Sequence, residues 1–350
     1  MDGVRGARPL VLAVSVLLVA ALLAAITRPT VAEESEARLE TTPTSSPRTT
    51  TSTTSSPSTT ALAVPANSGT APRSTTTTET PTTEAPTTTA APSPPSSGRC
   101  ASLPKAGGGQ WQCTLSEEFD GTALNSSIWS VQTTVKSGFH SGQECFVDHP
   151  DNVSVSDGTL KLTAQREPAP FTCARKNKPY TTQWTSGMVM TYGKWSQLYG
   201  RFEIRAKMPT AKAKGLQTAL WMWPVDPFRY GPWPASGEID IAEWYSNRPG
   251  YVIPYIHYLG GEATGATSWY CKVDPPEDWH SYTLEWSPQR LTILYDGAVC
   301  LSITPPVHPF HQPFTIALTQ ALGIGEKNLF DPATTPLPAT TEIDYVRAWR

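Results

Sequence analysis

From Trp111 to the end of the chain, apolar and polar residues alternate in short runs, and the spacing of an amphipathic helix is scarce. Val153-Ser154-Val155-Ser156 alternates up to Asp157-Gly158, and Thr159-Leu160-Lys161-Leu162-Thr163-Ala164 alternates away from it. An Asp-Gly pair between two such runs predicts a β-hairpin, because both central residues of the tight turn need positive φ. Gly200 to Met208 alternates again and predicts a strand with Arg201, Glu203, Arg205 and Lys207 on one face. Leu291 to Tyr295 reaches a second Asp-Gly pair, Asp296-Gly297, from which Ala298 to Ile303 returns. Thr341 to Trp349 closes the series. Many short strands punctuated by Gly and Pro, without a βαβ rhythm, predict an all-β fold, a large antiparallel β-sandwich.

The pattern does not reach the N-terminal third. Residues 41–99 contain 21 Thr, 11 Ser and 10 Pro, so 42 of 59 positions are one of three types. Such a stretch has too little apolar mass to offset the entropy of ordering it. Residues 33–97 are therefore expected to be a disordered Thr/Ser/Pro-rich linker, and 98–350 a single folded domain. At about 3.1 Å per residue in a polyproline conformation, the 59 residues would reach on the order of 180 Å. Before the linker, Arg5 and Arg8 precede an apolar run from Leu10 to Ile26, broken only by Ser15. Residues 1–32 read as a signal peptide, with Thr30-Val31-Ala32 as a cleavage site, or as a membrane anchor. Either way the segment inserts into the membrane during export, and the domain is expected outside the cell or at its surface.

All six Cys and all 33 aromatic residues lie from Cys100 onward. Six Cys in an exported domain suit three disulfides, and proximity pairs Cys100 with Cys113, Cys145 with Cys173 and Cys271 with Cys300. No C-x-x-C pair supports zinc or redox chemistry. A net charge of -3, with 16% charged residues, excludes a nucleic-acid clamp.

Gly237-Glu238-Ile239-Asp240-Ile241-Ala242-Glu243 carries the candidate chemistry. In a regular strand Glu238 and Asp240 share one face, while Glu243 would point into the apolar layer. A buried unpaired carboxylate there costs several kcal/mol. One extra residue, a β-bulge near Ile241-Ala242, returns Glu243 to the acidic face. Two carboxyl groups so placed can cleave a glycoside with retention, one attacking the anomeric carbon and the other protonating the leaving oxygen. A third acid between them helps keep the proton donor protonated. Trp221, Trp223, Trp233 and Trp244 flank the motif, and aromatic faces suit the C–H surfaces of sugars. A solvated acidic face or a calcium site are the other readings of the three acids, and core packing that of each Trp.

Glu-Ile-Asp-Ile-Ala-Glu resembles the Glu-x-Asp-x-x-Glu signature of glycoside hydrolase family 16 in its bulged, laminarinase-type form. The likeness extends from Asn152-Val153 and Gly158-Thr159-Leu160 through Tyr199–Pro209, Ala219-Leu220-Trp221-Met222 and His257-Tyr258 to Asp344-Tyr345-Val346-Arg347. It covers about 115–350 and points to an exported bacterial form. The resemblance implies a jelly-roll sandwich with a concave substrate cleft. It implies Glu238 as nucleophile, Asp240 as assisting acid and Glu243 as general acid/base. Arg205, Trp221, Trp233 and His257 match positions that line the sugar cleft. Glu118 and Asp344 resemble positions that in many members hold a structural calcium on the convex face. Two departures stand out: Leu216-Gln217-Thr218 replaces the usual stretch before the Trp, and Arg166 to Thr185 is a long insert holding Cys173.

These features imply a secreted or surface-tethered retaining endo-glycosidase acting on a polysaccharide, β-1,3-glucan, as a monomer and with no cofactor for catalysis. A transglycosylase, or a non-catalytic glycan-binding module on a stalk, are the alternatives. A binding module has no need of an acid and a nucleophile.

Overall fold

The computed structural model describes residues 100–261, 266–306 and 308–350. The apolar run Leu10–Ile26 and the Thr/Ser/Pro-rich linker, with the export and tether expectations that rest on them, lie outside the described residues. Among the described residues no helix is long and apolar enough to cross a membrane.

Two sheets carry the domain, antiparallel throughout except where Cys145–Phe146 joins the edge of the larger one. The larger runs, in spatial order, Ala298–Ile303, Leu291–Tyr295, His280–Trp286, Gly200–Lys207, Ala339–Trp349, Thr159–Cys173, Tyr180–Ser186 and Cys145–Phe146. Cys113–Glu117 pairs beside Ala339–Trp349, and Val153–Ser156 beside Thr159–Cys173. The smaller sheet runs Val252–His257, Glu238–Tyr245, Leu216–Pro224, Phe314–Leu322, Met188–Met190 and Ser130–Val131.

Both predicted hairpins form. Asp157 and Gly158 turn at φ 57° and 73°, and Asp296 and Gly297 at 48° and 79°, as a two-residue primed turn requires. Along Gly200–Lys207 burial alternates residue by residue. Phe202, Ile204 and Ala206 enter the core, and Arg201, Glu203, Arg205 and Lys207 cover the outside. The inner face of the smaller sheet supplies Leu220, Met222, Ile239, Ile316 and Leu318 to the same core. At about 1.5–3 kcal/mol for each large side chain taken from water, this layer is what holds the sheets together.

One polar node crosses that layer. Gln320 Oε1 accepts from Thr218 Oγ1 at 2.9 Å and from Thr341 Oγ1 at 2.7 Å, and Thr341 belongs to the opposite sheet. All three side chains are buried, so the node is stable because its hydrogen bonds are made.

The three disulfides pair as their spacing predicts: Cys100–Cys113, Cys145–Cys173 and Cys271–Cys300. The long insert is an extension of the larger sheet. Thr159–Cys173 runs on and returns as Tyr180–Ser186, and Cys145–Phe146 lies parallel to the return. This carries Phe146 to the outer face of the smaller sheet, where it packs with Trp221, Met188, Met190, Ala317 and Ala321.

Candidate active site

The Glu238–Tyr245 strand is fully buried between two neighbours and bulged in its middle. Toward Leu216–Pro224, Trp221 faces Asp240 and Ala219 faces Glu243. Toward Val252–His257, Tyr255 faces Asp240 and Ile253 faces Glu243, while His257 faces Glu238. Three steps along the central strand therefore match two along each neighbour. Ile241 is the extra residue, and Glu238, Asp240 and Glu243 emerge on one face. Pro254 lies opposite the irregular stretch, where its missing N–H removes a ladder bond that a regular pairing would use. From the opposite sheet, Tyr295 OH donates to the carbonyl of Ile241 at 2.9 Å.

Gly237 sets the start of this strand. Its φ is +82°, and a Cβ there would lie 3.0 Å from Phe310 and 3.2 Å from Pro309. Only glycine meets both conditions without strain.

Each carboxylate has a distinct partner. Trp233 Nε1 donates to Glu238 Oε2 at 2.5 Å. His257 Nε2 lies 3.2 Å from Asp240 Oδ2, and its ring stacks on Tyr255 at 4.0 Å. Glu243 Oε1 accepts from Gln217 Nε2 at 2.9 Å and from Tyr245 OH at 3.0 Å. Burial pushes the Glu243 carboxyl well above the usual carboxylate range, the negative charges of Asp240 and Glu238 push it the same way, and His257 and the Tyr245 hydroxyl oppose them. A buried, protonated acid beside two further carboxyl groups can donate a proton to a leaving group at near-neutral pH.

Of the expected cleft residues, three reach this face. Trp233 closes over Glu238, with its ring 5.3 Å from that of His257. Trp221 forms floor rather than a free platform: its indole donates to Thr319 Oγ1 at 3.0 Å, and Phe139 and Trp223 pack against its ring at 6.1 Å and 6.0 Å. His257 enters through its contact with Asp240.

Arg205 does not belong to the site, which corrects the expectation from resemblance. It lies on the outer face of the larger sheet, paired with Asp344 and stacked over Trp279 at 5.1 Å. The alternation of Gly200–Lys207 already placed it with the charged, outward set. The calcium expectation meets a donor set that does not fit. Glu118 takes both Nε and Nη2 of Arg347, at 2.9 Å and 2.7 Å, and Asp344 takes Arg205. A divalent cation seeks oxygen ligands, not carboxylates already held by guanidinium groups. Among the described residues no group of three or more His, Cys, Asp or Glu could hold a metal.

Gln217, Tyr245 and Tyr255 were not among the expected site residues. Strict alternation from Trp221 through Ala219 to Gln217 was the available signal for the first. For Tyr245, its distance of two from Glu243 was the clue.

Residues 140–344 match the sequence profile of the glycosyl hydrolases family 16. The chain is 30% identical over 264 residues to glucan endo-1,3-β-glucosidase A1 of Niallia circulans, a match spanning 69% of this chain and 37% of that protein. It is 30% identical over 265 residues to glucan endo-1,3-β-glucosidase of Cryptopygus antarcticus, spanning 69% of this chain and 93% of that one. Among solved structures, the endo-β-1,3-glucanase from Pyrococcus furiosus superposes with a TM-score of 0.61 at 27% identity, covering 71% of this chain and 97% of its own. With the bulged strand and its three acids inside the matched region, the chain belongs to the glycosyl hydrolases of family 16 and is a glycoside hydrolase.

Proposed function

We propose that the protein is a retaining endo-glycosidase that hydrolyses β-1,3-glucan by double displacement. Glu238 attacks the anomeric carbon while Glu243 protonates the departing glycosidic oxygen. Water, deprotonated by Glu243, then releases the sugar from Glu238. Asp240, between them and paired with His257, keeps negative charge beside Glu243 and so raises its proton affinity. The observation that carries this reading is the bulge: without it the acid would sit in the core and the nucleophile on the surface. The names of the two curated relatives and of the Pyrococcus enzyme support β-1,3-glucan as the polymer.

The Leu10–Ile26 run and the three disulfides support export, with the monomeric domain secreted or held at the surface by the Thr/Ser/Pro-rich stalk. No cofactor is required by the chemistry.

The test is product analysis of the full chain on laminarin, mixed-linkage β-glucan and a galactan, with the anomer first released read by NMR. Short β-1,3-linked oligosaccharides released as the β-anomer, and lost in Glu238→Gln, are expected. Release of the α-anomer would overturn retention, and inactivity of folded protein on all three polymers would overturn the substrate.

A further inference from the structure

Resting on the glycosidase reading, we propose that Gln217 is a positioning residue for Glu243, fixing one carboxyl oxygen so that the other carries the transferable proton. Gln217 pairs with Tyr245 across the two strands, two residues from the Ala219–Glu243 pair, and so shares the carboxylate face. Its amide Nε2 and the Tyr245 hydroxyl both donate to Glu243 Oε1, at 2.9 Å and 3.0 Å. Glu243 Oε2 is buried and has no hydrogen-bond partner. In a neutral carboxyl group, the oxygen that accepts two donors is the carbonyl oxygen, and the proton resides on the other. The two donors therefore assign the proton to Oε2.

The arm that does this is rooted firmly. The backbone carbonyl of Gln217 accepts from Gln320 Nε2 at 3.2 Å, and Gln320 is held by Thr218 and Thr341 in the inter-sheet node. A donor on a strand whose backbone is tied to the core is placed with little freedom, as proton transfer requires.

In the first step the electrons of the glycosidic C–O bond leave with the aglycone oxygen, which takes the proton from Oε2 as Glu238 bonds to the anomeric carbon. In the second, Oε2 takes a proton from the water whose oxygen displaces Glu238. Gln217 exchanges no proton in either.

The charged and titratable groups around Glu243 are Asp240, Glu238 and Tyr245 on its own strand, His257 on the neighbouring strand and Tyr295 from the opposite sheet. Asp240 and Glu238 favour the neutral acid. Donation by Gln217 and Tyr245 favours the ionised form and so limits that rise.

The test uses Gln217→Met and Gln217→Glu in the full chain. Both kcat and KM are measured on a β-1,3-gluco-oligosaccharide and on an aryl β-glycoside whose leaving group needs no protonation, across pH. For Gln217→Met we expect KM within about twofold, kcat on the oligosaccharide down about tenfold, and a much smaller loss on the aryl glycoside. The basic limb of kcat/KM should move to higher pH, and further in Gln217→Glu, whose added carboxyl faces Glu243. A folded Gln217→Met protein with the wild-type limbs and no discrimination between leaving groups would overturn the proposal. Should Gln217→Met lack a native thermal transition, the same two readouts on Gln217→Glu decide. If wild type and Glu243→Gln behave alike on the glycan, the glycosidase reading itself fails, whatever Gln217 does.

Discussion

Asp240 and Glu243 are three positions apart yet point to the same face, because the strand between them holds one residue more than either neighbour. Inserting one alanine after Ala242 would reverse that phase and turn the Glu243 carboxyl toward the layer that Ile239 and Trp244 occupy. An unpaired carboxyl there costs several kcal/mol. The insertion variant should therefore melt well below the wild type in a thermal scan and hydrolyse no glucan. A variant with native melting and native activity would refute the role of the bulge.

Glu238→Gln removes one charge and keeps the shape that Trp233 caps. Hydrolysis should be abolished while the circular dichroism melt stays within a few degrees. Wild-type turnover in this variant would remove Glu238 from the mechanism.

Asp240→Asn takes away a charge that raises Glu243. The basic limb of kcat/KM, which reports loss of the Glu243 proton, should move to lower pH, and turnover should fall. The linkage to stability has the matching sign. A carboxyl raised on folding binds more protons folded than unfolded, so its contribution is full at acid pH and is lost as pH rises through the raised value. Wild-type stability from urea unfolding should show this decline on the alkaline side of the ordinary carboxylate range, and Asp240→Asn should show it at lower pH.

Arg205→Ala tests the correction made by the fold. The pair with Asp344 lies on the outer face, where about 0–1 kcal/mol is typical of an ion pair. Activity on laminarin should be unchanged within about twofold, because Arg205 is half-buried on the outer face of the larger sheet, away from the three carboxylates. A large rise in KM would return Arg205 to the cleft.

Cys145→Ser with Cys173→Ser frees a loop of 28 residues. A loss of about 2–4 kcal/mol is expected, measured by urea unfolding. Because Cys145 precedes Phe146, which packs with Trp221, KM should rise in the same variant.

Strand positions, both Asp-Gly turns, the bulge and all three disulfides were legible because each is a local matter of alternation, turn chemistry or short separation. The two sheets and their order were not, since hydrogen-bonded neighbours such as Gly200–Lys207 and Ala339–Trp349 are more than a hundred residues apart. That gap explains Arg205. A motif can assign it to a cleft, yet only its sheet and face decide, and the alternation with Phe202 and Ile204 points it outward. Gln217 was missed for the opposite reason: it looked like a departure from pattern, and its value appears only when Glu243 is placed beside it.

Tyr295 reaches from the far sheet to the Ile241 carbonyl, and this limits how far the acidic hexapeptide can travel. Grafted onto another sandwich, Glu238–Glu243 would bring its side chains but leave that carbonyl without its donor from below, and the strand would be free to relax into ordinary pleating. The transferable unit is thus a pair of strands from different sheets at a fixed separation. Engineers who wish to move this chemistry must carry both, and drift in the lower sheet can silence the upper one without touching an acid.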